Sequence, residues 1–241
     1  MPTNKKRTFF TIKHEGVNGL DDLLIYELIF FLVIMGAIVF GMIRMFKKQV
    51  PMYFTLYVCG VWCYAIGLIY VLLIGICGET YSEINSLGPL ATSGMFAFFT
   101  SANYGTFNSL IDDRGKKIHL LRVAAAFAAL ISVAVIFWET AHMEGLTIAN
   151  TVLVAIEQFP IPFCIYFCVK FLLMKSNGDK MLIGIKPLNL CTLLICIGLL
   201  AYDYFMILGD DLGKTITFGI YSVCIAAEVF LADWGRKKWQ S

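Results

Sequence analysis

Charged residues are scarce in this sequence, and that scarcity excludes an ordinary soluble domain. Asp, Glu, Lys and Arg make up 15% of the 241 residues, whereas hydrophobic residues make up 59%. Soluble domains usually carry about 25% charged residues. The formal net charge is only +2, which is too small to favour a nucleic-acid partner.

Histidine is almost absent, and this limits the possible cofactors. His14, His119 and His142 all lie outside the interiors of the predicted helices. This placement excludes a haem ligated within the membrane and a zinc hydrolase with three histidine ligands. The last predicted helix has no lysine at its centre, because Lys214 lies at its outer edge, so a retinal Schiff base is excluded as well. We expect no bound cofactor.

Seven long apolar runs dominate the rest of the sequence. A helix needs about 20 apolar residues to cross the hydrocarbon of a bilayer, so the runs predict an all-α bundle of seven transmembrane helices. The predicted helices cover residues 22–46, 52–77, 84–110, 119–141, 147–174, 187–208 and 215–234. Residues 1–21 would form an N-terminal tail, and residues 235–241 a short cytoplasmic tail. We therefore expect a multi-pass protein of the cell membrane, embedded in the lipid bilayer.

The segments between the runs alternate in charge. Basic residues cluster in segments 44–51, 111–122 and 170–186 and again after Trp234, whereas segments 78–84, 139–147 and 209–214 are acidic. An excess of Lys and Arg marks the cytoplasmic side of a membrane protein. This predicts a bundle with its N-terminus outside and its C-terminus inside. The basic residues of the N-terminal tail (Lys5, Lys6, Arg7 and Lys13) oppose this orientation, but the charges of later loops can override them.

Small residues recur on the third predicted helix. Ala97, Ser101 and Gly105 follow one another at intervals of four residues, which places them on one face. Small side chains at this spacing let helix backbones approach closely in lipid. We therefore expect this face to pack inside the bundle and the third helix to lie at its centre.

Two prolines interrupt the fifth predicted helix. Pro160 and Pro162 lie within residues 147–174. A proline removes an amide donor and frees a carbonyl one turn upstream, so these residues predict a kink. The freed carbonyls must find a partner or face a watery cavity at that depth.

Acidic residues inside the predicted helices are the candidates for function. They are Glu27, Glu157, Asp203 and Glu228, and Gln158 adjoins the second of them. At 1.5 Å per residue, Glu27 and Asp203 lie roughly 7 Å from the outer helix ends, Glu157 roughly 13 Å and Glu228 roughly 20 Å. Because no basic residue lies at a comparable depth, we expect these carboxyls to be protonated, hydrogen-bonded or bound to a cation. A simpler alternative is that Glu27 and Asp203 are wetted at the interface.

Cysteine pairs form a second group of candidates. Cys59 and Cys63, and likewise Cys164 and Cys168, are spaced by four residues on two predicted helices. Paired thiolates can hold a soft metal ion. However, Cys also behaves as a small hydrophobic residue, and the sequence has no C-x-x-C motif. We expect no metal, with these four residues as the alternative ligands.

The order of these features resembles the seven-helix membrane input modules that precede bacterial histidine kinases and diguanylate cyclases. The shared features are the orientation of the bundle, the short connections and a basic loop before the second helix, here Lys47-Lys48-Gln49-Val50-Pro51. The resemblance spans most of the chain as a pattern and implies a sensing role, without a residue-specific binding motif. Because only Gly235 to Ser241 follow Trp234, such a sensor is expected to signal through a cytoplasmic or membrane partner protein.

Three functions follow from the sequence. The first is a sensor or accessory module that acts through a partner protein. The second is a small proton-coupled or cation-coupled transporter or channel that uses Glu157 and Glu228. The third is a membrane-embedded enzyme acting on a lipid, for which Asp112-Asp113-Arg114 is the available polar cluster. We favour the first, because no acid pair or motif specifies either of the others.

Overall fold

A computed structural model shows a bundle of helices. It describes residues 17–47, 50–77, 87–108, 116–142, 154–155, 158–175 and 179–240. Within these ranges the helices are α1 (Val17–Lys47), α2 (Met52–Cys77), α3 (Leu87–Ser101), α4 (Lys116–His142), α5 (Pro160–Leu173), α6 (Lys180–Leu208) and α7 (Asp211–Gln240). A π-helical turn, Ala102–Phe107, continues α3.

Five of these helices are long and apolar enough to cross a membrane. The candidate spans are Ile25–Lys47, Met52–Ile74, Ile118–His142, Lys180–Leu208 and Asp211–Trp239. The helix α5 is apolar but has 14 residues. Large apolar side chains also cover the outer surface, for example Leu32, Phe127 and Ile131. The prediction of an all-helical chain with the composition of an integral membrane protein is confirmed.

The helices surround a core in which α2 and α7 are central. The helix α7 packs against α6, α1 and α2, and α2 also packs against α3. The helix α5 lies between α3 and α6, and α4 packs on the outside of α5 and α6. The buried core includes Tyr57, Phe99, Phe171 and Val229, which come from four different helices.

Some charged residues of the described ranges lie towards different ends of the bundle. At the end that we call the basic end, Arg44 near the end of α1 lies 3.7 Å from Asp233 near the end of α7, and Lys170 of α5 donates a hydrogen bond of 2.5 Å to Asn108. Glu27 and Glu139 lie towards the other end, where α1 begins and α4 ends. Segments 78–84 and 111–115, which contribute to the predicted alternation of charge, lie outside the described residues.

The structure corrects the prediction for the third helix. Ala97, Ser101 and Gly105 are all exposed on the surface of the bundle, so this face does not pack inside it. The Ser101 hydroxyl donates to the Ala97 carbonyl, 2.8 Å away, and needs no partner from another helix. The opposite face of α3 is buried, and Phe99 packs over Gly60 of α2. Further along the same contact, a Cβ atom added to Gly67 of α2 would lie 3.0 Å from the Ala91 Cβ of α3, so both helices contribute small residues to their close approach.

The prolines of the fifth predicted helix lie at a helix start. The helix α5 begins at Pro160, so Pro160 and Pro162 occupy its first turn. Proline is tolerated there because the first amide groups of a helix have no partner within the helix. Val154, Ala155 and Gln158 are helical upstream, and a turn precedes Pro160. Most of residues 147–157 lie outside the described ranges, so the helix predicted over 147–174 and its kink stay predictions.

The last two helices are longer than predicted. The helix α6 begins at Lys180 rather than at 187, because Asp179 caps it by accepting a hydrogen bond of 2.9 Å from the Met181 amide. Pro187 lies inside this helix, although the sequence places it at the start. The helix α7 runs to Gln240, so residues 235–240 continue a helix and do not form a separate tail.

Two glycines bring α6 and α7 into close contact. A Cβ atom added to Gly184 would lie 2.9 Å from the carbonyl oxygen of Gly235, and one added to Gly235 would lie 2.8 Å from the oxygen of Gly184. The two backbones therefore touch at this crossing, as small residues allow in lipid-embedded helices.

Replacing Gly184 by Ala is expected to destabilise the protein by about 1–3 kcal/mol, because the new methyl group overlaps the backbone of α7. The measurement is the free energy of unfolding in detergent micelles. The matched control is Gly36→Ala in α1, where nothing lies within 4 Å of the added Cβ. We expect no loss for the control, and equal losses for the two variants would contradict the close crossing.

Candidate functional site

Glu228 and Glu139 are the two fully buried acids in the described part of the chain. The side chain of Glu228, on α7, is 0% exposed. The Thr192 hydroxyl of α6 lies 2.6 Å from Glu228 Oε1, while Glu228 Oε2 has no hydrogen-bond partner among the described residues. The carboxyl group also interacts electrostatically with the thiols of Cys224 and Cys164. Its surroundings are therefore uncharged hydroxyl and thiol groups.

Thr192 has two acceptors for one hydrogen. Its Oγ1 atom lies 2.6 Å from Glu228 Oε1 and 3.1 Å from the carbonyl oxygen of Leu188. A threonine hydroxyl donates one hydrogen and accepts on two lone pairs. Both contacts can be full hydrogen bonds if Glu228 is protonated. Thr192 then donates its hydrogen to the Leu188 carbonyl, and the Glu228 carboxyl donates its proton to the Thr192 oxygen. The geometry therefore fits the neutral form of Glu228.

The hydrogen bonds continue from Thr192 towards α2 and α3. The Tyr57 hydroxyl of α2 lies beside Thr192 and accepts a hydrogen bond of 3.3 Å from Asn103 Nδ2. Asn103 lies in the π-helical turn and also donates to the Phe99 carbonyl, 3.1 Å away. Tyr57, Asn103 and Thr192 are all buried. Polar groups of four helical segments thus meet around Glu228, and π-helical turns often occur at functional sites.

The four cysteines that the sequence singles out have different surroundings. Cys164 lies 3.0 Å from the Thr100 hydroxyl and donates to the Phe96 carbonyl at 3.3 Å, whereas Cys168 lies near Glu228. Cys59 and Cys63 are only partly buried, and Cys63 lies against Gly94 of α3. Among the described residues, no group of three or more His, Cys, Asp or Glu side chains could hold a metal ion. The geometry gives no support to a metal bound by these four thiols.

A second buried site joins α4, α6 and the segment before α5. Gln158 Nε2 donates to Asp203 Oδ2 at 3.2 Å, and Glu139 interacts electrostatically with Asp203. Glu139 is 0% exposed, and neither of its carboxyl oxygens has a hydrogen-bond partner among the described residues. The structure thus brings together Gln158 and Asp203, two predicted candidates, and adds Glu139.

Glu139 is not among the predicted candidates, because in the sequence it stands with the acidic residues of a predicted loop. A signal was present in the buried face of α4, which contains Ala125, Ser132, Ile136 and Glu139. These residues follow one another at helical spacing, so Glu139 continues the packed face for one more turn.

The remaining predicted acids have different surroundings. Glu27 is partly buried on α1 and interacts electrostatically with the Tyr64 hydroxyl, which lies beside Tyr221 and Ser222. Glu157, the remaining candidate, lies outside the described residues.

A cluster of ion pairs occupies the basic end of the bundle. Asp233 is 2% exposed and accepts hydrogen bonds from Arg236, whose Nη2 atom lies 2.7 Å from Oδ1. Lys237 Nζ lies 2.9 Å from Asp233 Oδ2, next to the Arg44 contact described above. Arg236, which belongs to the predicted cytoplasmic tail, is itself buried. This cluster ties the end of α7 to α1.

Comparison with known proteins gives no relative. The chain matches no protein-family model, no curated protein and no solved structure. The buried acids and their partners are therefore the observations that bear on function.

Replacing Thr192 by Val is expected to destabilise the protein by about 1–3 kcal/mol, because Glu228 then loses its hydrogen-bond partner in an apolar core. Thr192→Ser keeps the hydroxyl, so its free energy of unfolding should fall much less. The measurement is again the free energy of unfolding in micelles.

Thr215→Val is the matched control for this prediction. Its hydroxyl makes the same type of bond to a carbonyl four residues earlier, 2.9 Å from Asp211, but at an exposed position. We expect a change within about 0.5 kcal/mol for the control. If Thr192→Val were as mild as Thr215→Val, the hydrogen bond to Glu228 would have no structural role.

Proposed function

We propose that this chain is a small integral membrane protein whose helix packing responds to the protonation of Glu228, and that it acts as a sensor or accessory module for a partner protein. The observation that carries this proposal is the Thr192 hydroxyl, which has one hydrogen and lies 2.6 Å from Glu228 and 3.1 Å from the Leu188 carbonyl. Both contacts are satisfied when Glu228 holds a proton.

Loss of this proton would change the packing because of where Glu228 lies. Its neighbours come from α2, α5 and α6, through Tyr57, Cys164 and Thr192. A negative charge at this junction would have one hydroxyl partner and no cation within salt-bridge distance among the described residues. An unpaired charge in an apolar core is costly, so the ionised form favours a different arrangement of these helices. A two-state change of this kind is what a sensor requires.

The basic end of the bundle is the surface that we propose for the partner protein. Its exposed cations include Lys47, Lys237 and Lys238, and an excess of such residues is typical of the cytoplasmic side. We therefore also propose the N-out, C-in orientation and location in the cell membrane. Arg236 is unsuited to a partner contact because it is buried against Asp233.

Glu228→Gln is expected to reduce the pH dependence of stability. The free energy of unfolding of the wild-type protein should fall by up to about 1.4 kcal/mol per pH unit. This fall occurs as the pH rises through the range in which Glu228 is ionised in the unfolded chain but protonated in the folded core, because the core disfavours the charged form. Glutamine stays neutral, and its amide can still donate to Thr192. Unfolding free energies measured from pH 5 to pH 9 in micelles test this expectation.

Asp211→Asn is the matched control, since Asp211 begins the same helix and its side chain is 89% exposed. The control should keep the pH dependence of the wild-type protein. Identical pH profiles for the wild type and Glu228→Gln would contradict a protonated Glu228 in the core.

Proton-coupled transport is a second candidate function, favoured by one observation. Polar groups lie at successive depths, from the Glu139 and Asp203 pair, through Tyr221, to Glu228. A graded series of acids and hydroxyls is what a proton path needs. The membrane-embedded enzyme has no such support, because residues 112–114 lie outside the described part of the chain.

Reconstituted liposomes separate these two candidates. A sensor predicts no proton flux beyond that of protein-free liposomes when a pH gradient is imposed across the membrane. A transporter or channel predicts flux that Glu228→Gln abolishes. Flux that persists in this variant would exclude both a non-conducting sensor and a path through Glu228.

A further inference from the structure

The contact between α1 and α7 ends in a cluster of cations at the basic end of the bundle. Arg44 Nε and Lys237 Nζ lie 3.7 and 2.9 Å from the same oxygen atom, Asp233 Oδ2. Arg236 donates instead to the other oxygen, Oδ1, from its Nε and Nη2 atoms at 3.2 and 2.7 Å. Three cations thus surround one buried carboxylate, which leaves a local excess of positive charge.

Two of these three cations reach the surface. The side chain of Lys237 is 56% exposed and that of Arg44 is 35% exposed, whereas that of Arg236 is 6% exposed. Arg236 is therefore the internal partner of Asp233. The 3.7 Å contact of Arg44 is too long for a hydrogen bond, so its guanidinium can still donate to another anion. The accessible part of the excess charge lies on Arg44 and Lys237.

Both cations lie near the ends of candidate membrane spans. The spans Ile25–Lys47 and Asp211–Trp239 end within one turn of Arg44 and Lys237. Lys and Arg side chains near the end of a membrane helix extend to the headgroup region. Trp234, which precedes Lys237 by about one turn, is partly exposed, and tryptophan is enriched at the same interface. The two cations are therefore expected at the depth of the lipid phosphates.

An apolar surface runs from these cations towards the middle of the membrane. On α7, Phe230, Trp234 and Lys237 are exposed and follow one another at helical spacing, so they share one face. The Phe230 ring packs on Phe40 of α1 with the centroids 4.7 Å apart, and Ile43 of α1 is exposed as well. A ligand with a phosphate at the cations and a hydrocarbon chain fits this surface better than a free phosphate ion does.

We propose that Arg44 and Lys237 bind the phosphate of an anionic phospholipid whose acyl chain lies along Phe230 and Ile43. Because both cations contact one oxygen of Asp233, they are close enough to contact one phosphate group together. An anionic headgroup offsets the excess positive charge, whereas the cationic group of a zwitterionic headgroup opposes this attraction. The site does not depend on the function proposed above.

Lipid binding to the full-length protein in neutral detergent micelles tests the site, with native mass spectrometry as the readout. We expect phosphatidylglycerol to bind the wild type at least about tenfold more tightly than phosphatidylcholine, because each cation near the phosphate contributes about fivefold. Similar affinities for the two lipids would overturn the proposal. This comparison needs no variant, so it does not depend on the folding of one.

Lys237→Gln is expected to weaken the binding of phosphatidylglycerol about fivefold and to leave that of phosphatidylcholine unchanged. The variant should fold, because Arg236 and Arg44 still compensate the charge of Asp233. Lys237→Arg keeps the charge and should bind as the wild type does. Unchanged binding of phosphatidylglycerol by Lys237→Gln would contradict the site.

Lys47→Gln is the matched control, since it removes one exposed lysine at the same end of the bundle but outside the Asp233 cluster. It should bind phosphatidylglycerol as the wild type does. Equal losses in Lys47→Gln and Lys237→Gln would overturn the site, because they would show a diffuse attraction to the basic end. Inorganic phosphate at constant ionic strength should not displace the lipid. Displacement would show that the site takes a free anion instead.

Tryptophan fluorescence locates the acyl chain without changing a cation. Trp234 and Trp138 are similarly exposed, at 39% and 40%, but Trp138 lies on α4 beside Glu139. Phosphatidylglycerol with brominated acyl chains should quench the fluorescence more than brominated phosphatidylcholine does. Trp234→Phe should remove this excess quenching, and Trp138→Phe should keep it. Excess quenching that persists in Trp234→Phe would overturn the proposal. None of these outcomes affects the Glu228→Gln titration.

Discussion

The buried contact between Glu228 and Thr192 is the constraint on which the rest of the structure depends. A fully buried carboxyl in an apolar bundle must be neutral or paired, and the described surroundings offer it a hydroxyl 2.6 Å away and nearby thiols. The hydroxyl in turn bonds within its own helix and adjoins Tyr57, which accepts from Asn103. One proton on Glu228 therefore completes a set of hydrogen bonds that links α7, α6, α2 and the π-helical turn after α3.

The same principle organises the two ends of the bundle in different ways. At the basic end, the buried Asp233 is surrounded by Arg44, Arg236 and Lys237, so its charge is compensated by neighbouring cations. Towards the acidic end, Asp203 accepts a hydrogen bond from the Gln158 amide, and the buried Glu139 has no hydrogen-bond partner among the described residues. The described buried acids are thus compensated by cations at the basic end and by uncharged groups elsewhere. An acid without a cation is the kind of group whose charge state changes its packing.

The sequence predicted which segments are helical better than it predicted which faces are inside. The hydrophobic runs predicted the positions of the seven helices that the described residues form. However, lipid is as apolar as the core of the bundle, so hydrophobic periodicity does not show which side of a membrane helix faces the core. This is why the face with Ala97 and Gly105 was assigned to the interior although it is exposed. Glu228 and Asp203 could be found from depth alone. Thr192 and Glu139 could not, because their roles depend on contacts between residues distant in sequence.

Infrared spectroscopy of the protein reconstituted in lipid at neutral pH tests the central claim most directly. A protonated carboxyl and an ionised carboxylate absorb in separate regions, so the spectrum reports the charge of Glu228 without relying on stability. We expect a component of the protonated-carboxyl band that is lost in Glu228→Gln and kept in Asp211→Asn. Loss of a carboxylate band in Glu228→Gln, with the protonated band unchanged, would contradict it.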